Sequence, residues 1–247
     1  MIKHVVLAAL LLIGSLAQSS AQYLMQSYTP RASSGGTPAI DGTSAVGGSS
    51  SGSLSLNLTT TQSNDVIVVV GGGTNTSTAG TNLTVSGCSL TWTRWEYAYD
   101  FASREVDLWY AIASSPLSAC TITETVAGGT WLVTGMTAMG ISGANTSTPF
   151  DPNGASSGIA HGASSTPTVS GISTSNAHDI LIGGVVAAGS GPPTAGSGFT
   201  QLWNSGAVTP VLASEYEVVS ATQSGISLTF GGLSGSTNWA MLAAAVQ

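Results

Sequence analysis

The residues with the most chemistry to offer lie in one stretch, Trp92-Thr93-Arg94-Trp95-Glu96-Tyr97-Ala98-Tyr99-Asp100-Phe101. Trp95, Tyr97, Tyr99 and Phe101 recur at period two, so an extended strand puts all four rings on one face and Arg94, Glu96 and Asp100 on the other. Such a row suits stacking on sugar rings, with polar neighbours reading hydroxyls. Large aromatics are equally at home in a core, which is the competing reading. Arg104, Glu105 and Asp107 follow at once, so this region holds much of the chain's charge.

Paired carboxylates come next. Glu105 with Asp107, and Glu215 with Glu217, are each two apart on expected strands, a spacing that marks a solvent-facing row. A retaining glycosidase needs two carboxyls about 5 Å apart, usually from different strands, one of them raised by burial. Gly-x-Ser-x-Gly occurs at Gly48–Gly52 and Gly154–Gly158, but in Gly/Ser-rich surroundings rather than a strand-turn-helix elbow. His161 and His178 stand apart from any cysteine or acid cluster, and oxygen ligands are scarce, so neither a metal nor a cofactor is expected. No catalytic residue is assigned, and an extracellular hydrolase ranks third among the readings.

Cys88 and Cys120 border expected strands and are expected to form a disulfide. Four sequons, at Asn57, Asn75, Asn82 and Asn145, are acceptors for glycans where a host supplies them. Both features fit the amino terminus. Lys3, an apolar run from Val5 to Leu16 and Ser19-Ser20-Ala21 make a cleaved secretory signal ending at residue 21, too short for the roughly 20 residues of a spanning helix. A secreted protein, extracellular or on a cell surface, is expected, with no membrane span in the mature chain.

Charged residues make up only 6% of the chain and the net charge is −7. That balance excludes a nucleic-acid partner, whose phosphates would find nothing to neutralise them. It also describes a surface that changes little in acid, as an acidic or hot habitat would select.

The element around which these residues are arranged is Asn64-Asp65-Val66-Ile67-Val68-Val69-Val70-Gly71-Gly72-Gly73, with five consecutive β-branched residues closed by glycines. It reads as a strand buried on both faces, the Asp turning the chain into it. His178-Asp179-Ile180-Leu181-Ile182-Gly183-Gly184 repeats the phrase, each time after a Ser/Thr-rich run. Phe199-Thr200-Gln201-Leu202-Trp203 echoes Leu90-Thr91-Trp92. Tyr110 then matches Tyr216, Ile112 matches Val218, Ile122 matches Leu228 and Ala138 matches Ala244 at one constant spacing. Further strands are expected at Leu54–Leu58, Leu83–Val85, Leu90–Trp92, Arg104–Ala113, Cys120–Val126, from residue 131 to Ile141, and at the carboxyl end. No helical period appears beyond the signal. The expected fold is all-β, a jelly-roll or Greek-key sandwich built from two sequence-related halves. The expected layout is signal 1–21, apolar arm and flexible linker 22–52, first repeat 53–141, linker 142–166 and second repeat 167–247.

Val106-Asp107-Leu108-Trp109-Tyr110-Ala111 and the run from Gly140 to Asp151 resemble secreted microbial β-sandwich proteins, a resemblance that implies no catalytic activity. The order of leader, apolar arm and all-β body is similar to that of camelysin-like and archaeal bundling-pilus subunits, which assemble by strand donation. That resemblance implies that Tyr23, Leu24, Met25 and Tyr28 form a donor strand for a neighbouring copy, giving a homopolymer. The leading expectation is therefore a non-enzymatic filament or surface subunit. A carbohydrate-binding module using Trp95, Tyr97, Tyr99 and Phe101 is the alternative.

Overall fold

A computed structural model describes residues 36–74, 83–100, 103–126, 132–189, 191–206 and 209–247, with side chains at 48–51 and 132–134 excepted. The signal peptide, the Tyr23–Tyr28 segment, Asn75, Asn82 and Phe101 lie outside them. Residues 33–247 form one compact unit, to which everything below refers. No helix of the described residues is long and apolar enough to cross a membrane.

The described chain is all β. Its strands are β1 (Ala39–Ser51), β2 (Ser53–Leu58), β3 (Asp65–Thr74), β4 (Leu83–Gly87), β5 (Thr93–Tyr99), β6 (Arg104–Ala113), β7 (Cys120–Val126) and β8 (Leu132–Ser142). Then come β9 (Gly158–Ser164), β10 (Thr168–Ile172), β11 (Ile180–Ala187), β12 (Thr200–Asn204), β13 (Val211–Val218), β14 (Ile226–Thr229) and β15 (Thr237–Val246). They form two five-stranded inner sheets, ordered β1-β8-β3-β6-β5 and β12-β13-β11-β15-β9. Two smaller outer sheets are ordered β2-β7-β4 and β10-β14, and the pairings are antiparallel.

The order follows from where the apolar residues must go. In β3, Val66, Val68 and Val70 face the other inner sheet, meeting Ile180, Ile182 and Val186 of β11 in a central core. Ile67 and Val69 face the opposite way, onto Leu56, Leu58 and Ile122 of the first outer sheet. On the far side Leu181 and Val185 pack against Val169, Leu228 and Phe230 of the second outer sheet. Each half is thus a sandwich, and the two are stacked through their inner sheets into four layers. A strand in an inner layer has no face left for solvent, which is why β3 and β11 read as continuous apolar runs.

The glycines of β3 do not close the strand, as the sequence suggested; it continues to Thr74. A Cβ on Gly72 would stand 2.4 Å from Leu212 Cδ1 and one on Gly184 2.6 Å from Val70 Cγ1, so these glycines set how closely the inner sheets approach.

Both halves use the same strand order, with an isolated Thr194–Gly231 pair where β4 pairs with β7 in the first half. Register refines the matches. Val66 lies opposite Ile112 and Ile141, and Ile180 opposite Val218 and Val246. Ile112 and Val218 therefore take equivalent register positions in the two inner sheets. On the last strand the offset is one residue shorter, and Ala138 corresponds to Ala243, both facing outer sheets, whereas Ala244 faces the central core. Thr93 and Thr200 take equivalent places opposite Tyr110 and Tyr216, so Trp203 is not the counterpart of Trp92.

Three expectations about loops are corrected. The Gly/Ser-rich segment before residue 53 contains β1, paired along β8, and the central linker contains β9, paired along β15. In β9 the small residues point inward because Trp239 lies over them: its Nε1–H donates to Ser164 Oγ at 2.9 Å, and a Cβ on Gly162 would stand 3.0 Å from its ring. Leu90–Trp92 is not a strand, because Cys88 and Ser89 take φ of 58° and 53° and turn the chain first. The expected disulfide, Cys88–Cys120, joins that turn to the start of β7 across a Cα–Cα distance of 5.5 Å.

Candidate functional site

β5 positions the aromatic residues, and it does not carry them as one row. Thr93 pairs with Tyr110 and Arg94 with Trp109, but Glu96 pairs with Leu108, leaving Trp95 as a bulge. The extra residue exchanges the faces beyond it. Tyr97 and Tyr99 then lie opposite Asp107 and Glu105 and share their face with Arg94, whose Cζ is 4.2 Å from the centre of the Tyr97 ring. Trp95 turns instead toward Tyr110 and stacks on Phe150, with ring centres 3.9 Å apart and planes 10° from parallel. Trp95 and Tyr97 are each 41% exposed.

Arg94 leads into a buried acid cluster. Its Nη2 donates to Asp107 Oδ1 at 2.6 Å and also to Glu105 Oε1. Glu124 of β7 reaches over Gly71, where a Cβ would stand 2.0 Å from its carboxylate. Glu105 and Asp107 were expected on a solvent face; both are fully buried, as is Glu124. They face the outer sheet, because their neighbours Val106 and Leu108 supply the central core. Burial, then the charge of Glu105, pushes the Asp107 carboxyl well above its ordinary value. Glu124 is driven the same way by burial, then by Asp107 and Glu105, and neither of its oxygens has a hydrogen-bond partner. Both effects favour the protonated form of Glu124. Asp107 and Glu124 have the raised pKa of a general acid without any exposure to substrate. Glu215 also departs from the expected solvent face: it is buried against Gly183, accepts from Gly196 N–H at 2.7 Å, and burial raises it to about 7. Glu217 is half-buried.

A second pattern occurs once per half. Asp41 Oδ2 accepts from the N–H groups of Thr61 and Gln62, each at 2.7 Å, and its Oδ1 accepts from Thr61 Oγ1 at 2.8 Å. Asp151 Oδ2 accepts in the same way from Ser175 N–H at 2.8 Å and Asn176 N–H at 3.0 Å. Each lies beside a fully buried aspartate, Asp65 or Asp179, whose carboxyl it influences. Burial works to raise Asp41 and Asp151, but their hydrogen bonds outweigh it and both lie below the ordinary carboxylate value. Asp65 is pushed up to about 6 and Asp179 to about 8, in each case by burial first and then by the hydrogen bond and charge of its partner. The residues just before them, Asn64 and His178, have φ of 62° and 71°, so the chain does turn into both strands there.

A cleft of about 460 Å³ opens near these groups, lined by Trp95 and Tyr110 and by residues of the 147–157 segment, Phe150 among them. A second cleft of about 410 Å³, along Thr91, Thr93 and Ile112, shares Tyr110, Ser147 and Pro149 with the first. A third, of about 400 Å³, lies beside His178 and Asp179. Among the described residues no group of His, Cys, Asp and Glu is arranged to hold a metal ion. Of the sequon residues described, Asn57 is exposed on β2 and accepts from Thr121 Oγ1 at 2.8 Å, while Asn145 is half-buried and accepts from Ser147 and Thr148 N–H. His161 lies on β9 rather than in a linker.

Phe150, Glu124, Asp41 and Asp151 were not singled out from sequence, and Asp65 and Asp179 were read only as turning the chain into their strands. Asp41 and Asp151 each precede a Ser/Thr run, but Thr61 follows Asp41 by 20 residues and Ser175 follows Asp151 by 24, so an ungapped repeat does not align them. No protein-family model, curated protein or solved structure matches the chain.

Proposed function

We propose that the chain is a secreted, non-enzymatic structural protein, a subunit of an extracellular filament or cell-surface assembly joined by strand donation from Tyr23–Tyr28. The observation that supports this is β1. It spans thirteen residues at the edge of an inner sheet. β8 occupies one of its hydrogen-bonding sides, and among the described residues no strand pairs with the other. The one charged side chain of β1, Asp41, is drawn into hydrogen bonds with Thr61 and Gln62 instead of guarding that edge. A donated strand would find backbone donors and acceptors there in an extended row. The disulfide fits an oxidising compartment, and burial of Asp65, Glu105, Asp107, Glu124, Asp179 and Glu215 keeps six carboxyls off the surface, where they would oppose close packing of copies.

Electron microscopy and size-exclusion light scattering of residues 22–247 test the proposal. Regular filaments are expected, and deletion of residues 22–30 is expected to leave monomers with an unchanged thermal midpoint. A clean monomer at high concentration sinks it.

A further inference from the structure

We propose that the cleft between Trp95, Tyr110 and Phe150 binds a neutral oligosaccharide, with a sugar ring against the Trp95 indole. The bulge at Trp95 is what takes this ring off the Tyr97 face and sets it on Phe150. Stacked at 3.9 Å and touched edge-on by Tyr110, the indole is held in one orientation while 41% of the residue stays exposed. An exposed ring with fixed orientation is the arrangement that the apolar C–H face of a pyranose requires, since little side-chain freedom is lost on binding.

The volume, about 460 Å³, falls within the roughly 300–1,000 Å³ of small-ligand sites. Ser147, Asn153 and Ser157 also line the cleft, with groups able to meet hydroxyls. Charge decides the ligand class. Asp151 is the one carboxylate or basic residue of the lining, and its oxygens already accept from Asn153, Ser175 and Asn176. Nothing remains to pair with an anionic or cationic ligand. Because the neighbouring cleft shares Tyr110, Ser147 and Pro149, the groove extends past one ring, and a chain of sugars fits it better than a single one.

The other half supplies a control. Leu202 occupies the bulge equivalent to Trp95, beside a β13 whose Tyr216 matches Tyr110. Leucine is therefore a residue this bulge accommodates, and Trp95→Leu copies it.

The experiment titrates residues 22–247 with cellohexaose, maltohexaose and chitohexaose, following tryptophan fluorescence and heat. One of the three is expected to bind with Kd on the order of 10–1,000 μM, and its disaccharide about tenfold more weakly. Trp95→Leu is expected to abolish binding with the thermal midpoint unchanged. Ser147→Trp, which leaves Trp95 in place and fills the cleft, is expected to do the same. The proposal is overturned if none of the three binds, if both variants bind like the parent, or if an oligogalacturonate binds in preference. Filament formation bears on none of these outcomes, so the two proposals fail separately.

Discussion

Asp65 and Asp179 are shut away from water beside a second aspartate, and below about pH 6 for the first pair and about pH 8 for the second this favours one state: a proton on the buried partner, a charge on the other. The N–H and O–H groups of Thr61, Gln62, Ser175 and Asn176 select which partner is charged, because they donate to Asp41 and Asp151. The consequence for stability has a definite sign. Folding raises Asp65 to about 6 and Asp179 to about 8 from an ordinary 3.8, so between those values the folded state binds more protons than the unfolded one. Their contribution is complete below pH 3.8 and is lost as the pH rises through about 6 and then about 8. Glu215, at about 7, adds to the same loss, and Asp107 and Glu124 lean the same way. Asp41 and Asp151 act oppositely, losing their contribution as the pH falls through folded-state values below 3.8. The thermal midpoint is therefore expected to be highest in mild acid and to decline toward pH 8, by at most about 1.4 kcal/mol per pH unit for each proton released. Asp179→Asn, which keeps a neutral partner for Asp151 at every pH, is expected to flatten that decline. A midpoint that rises from pH 5 to pH 8 in the parent would rule out the shared proton.

At the scale of elements, the first outer sheet hangs on β7, with β2 on one side and β4 on the other, and the Cys88–Cys120 bridge fastens the turn after β4 to the beginning of β7. The bridged residues are 32 apart, so Cys88→Ser with Cys120→Ser is expected to cost about 3–4 kcal/mol in denaturant unfolding, mostly by freeing the unfolded chain. A loss under about 1 kcal/mol would mean that Leu56, Leu58 and Ile122 hold that sheet without it. The strands of this sheet were legible in the sequence because their burial alternates, as in Leu54-Ser55-Leu56-Asn57-Leu58. β3 and β6 were legible because β-branched and apolar residues run through them. β9 was not, since its inward residues are glycine, alanine and serine beneath Trp239, and a pattern of apolar residues cannot report a strand whose core side is small. The candidate site was half legible. Trp95 stood out, but period two carries no mark of a bulge, so its partners Tyr110 and Phe150 came only from the fold. The acid cluster was missed for a different reason: two-apart acids resemble a solvent face until an outer sheet, built from β7 and its neighbours, covers them.

For the whole molecule, the central core decides whether two sandwiches behave as one. Val66, Val68, Val70, Leu108, Met139 and Ile141 from the first half meet Ile180, Ile182, Val186, Leu212, Leu242 and Val246 from the second, and all are fully buried. Separating the halves would expose one complete face of each inner sheet, an apolar area well beyond the few hundred Å² that a soluble monomer usually shows. Gly72 against Leu212 and Gly184 against Val70 also bring the sheets too close for either face to be remade by polar substitution without displacing the other. Calorimetry of residues 36–247 is therefore expected to show one transition, with equal calorimetric and van't Hoff enthalpies. Residues 36–142 expressed alone are expected to form a dimer, with a second copy of the inner-sheet face standing in for the missing half, or to precipitate. Replacing Val68 and Val70 by Asp in that fragment should keep it from dimerising, because charges would then sit on the exposed face. Two separate transitions in the intact protein, or a fragment that is monomeric and folded as it stands, would show that the outer sheets, and not the shared central layer, set the unit of folding.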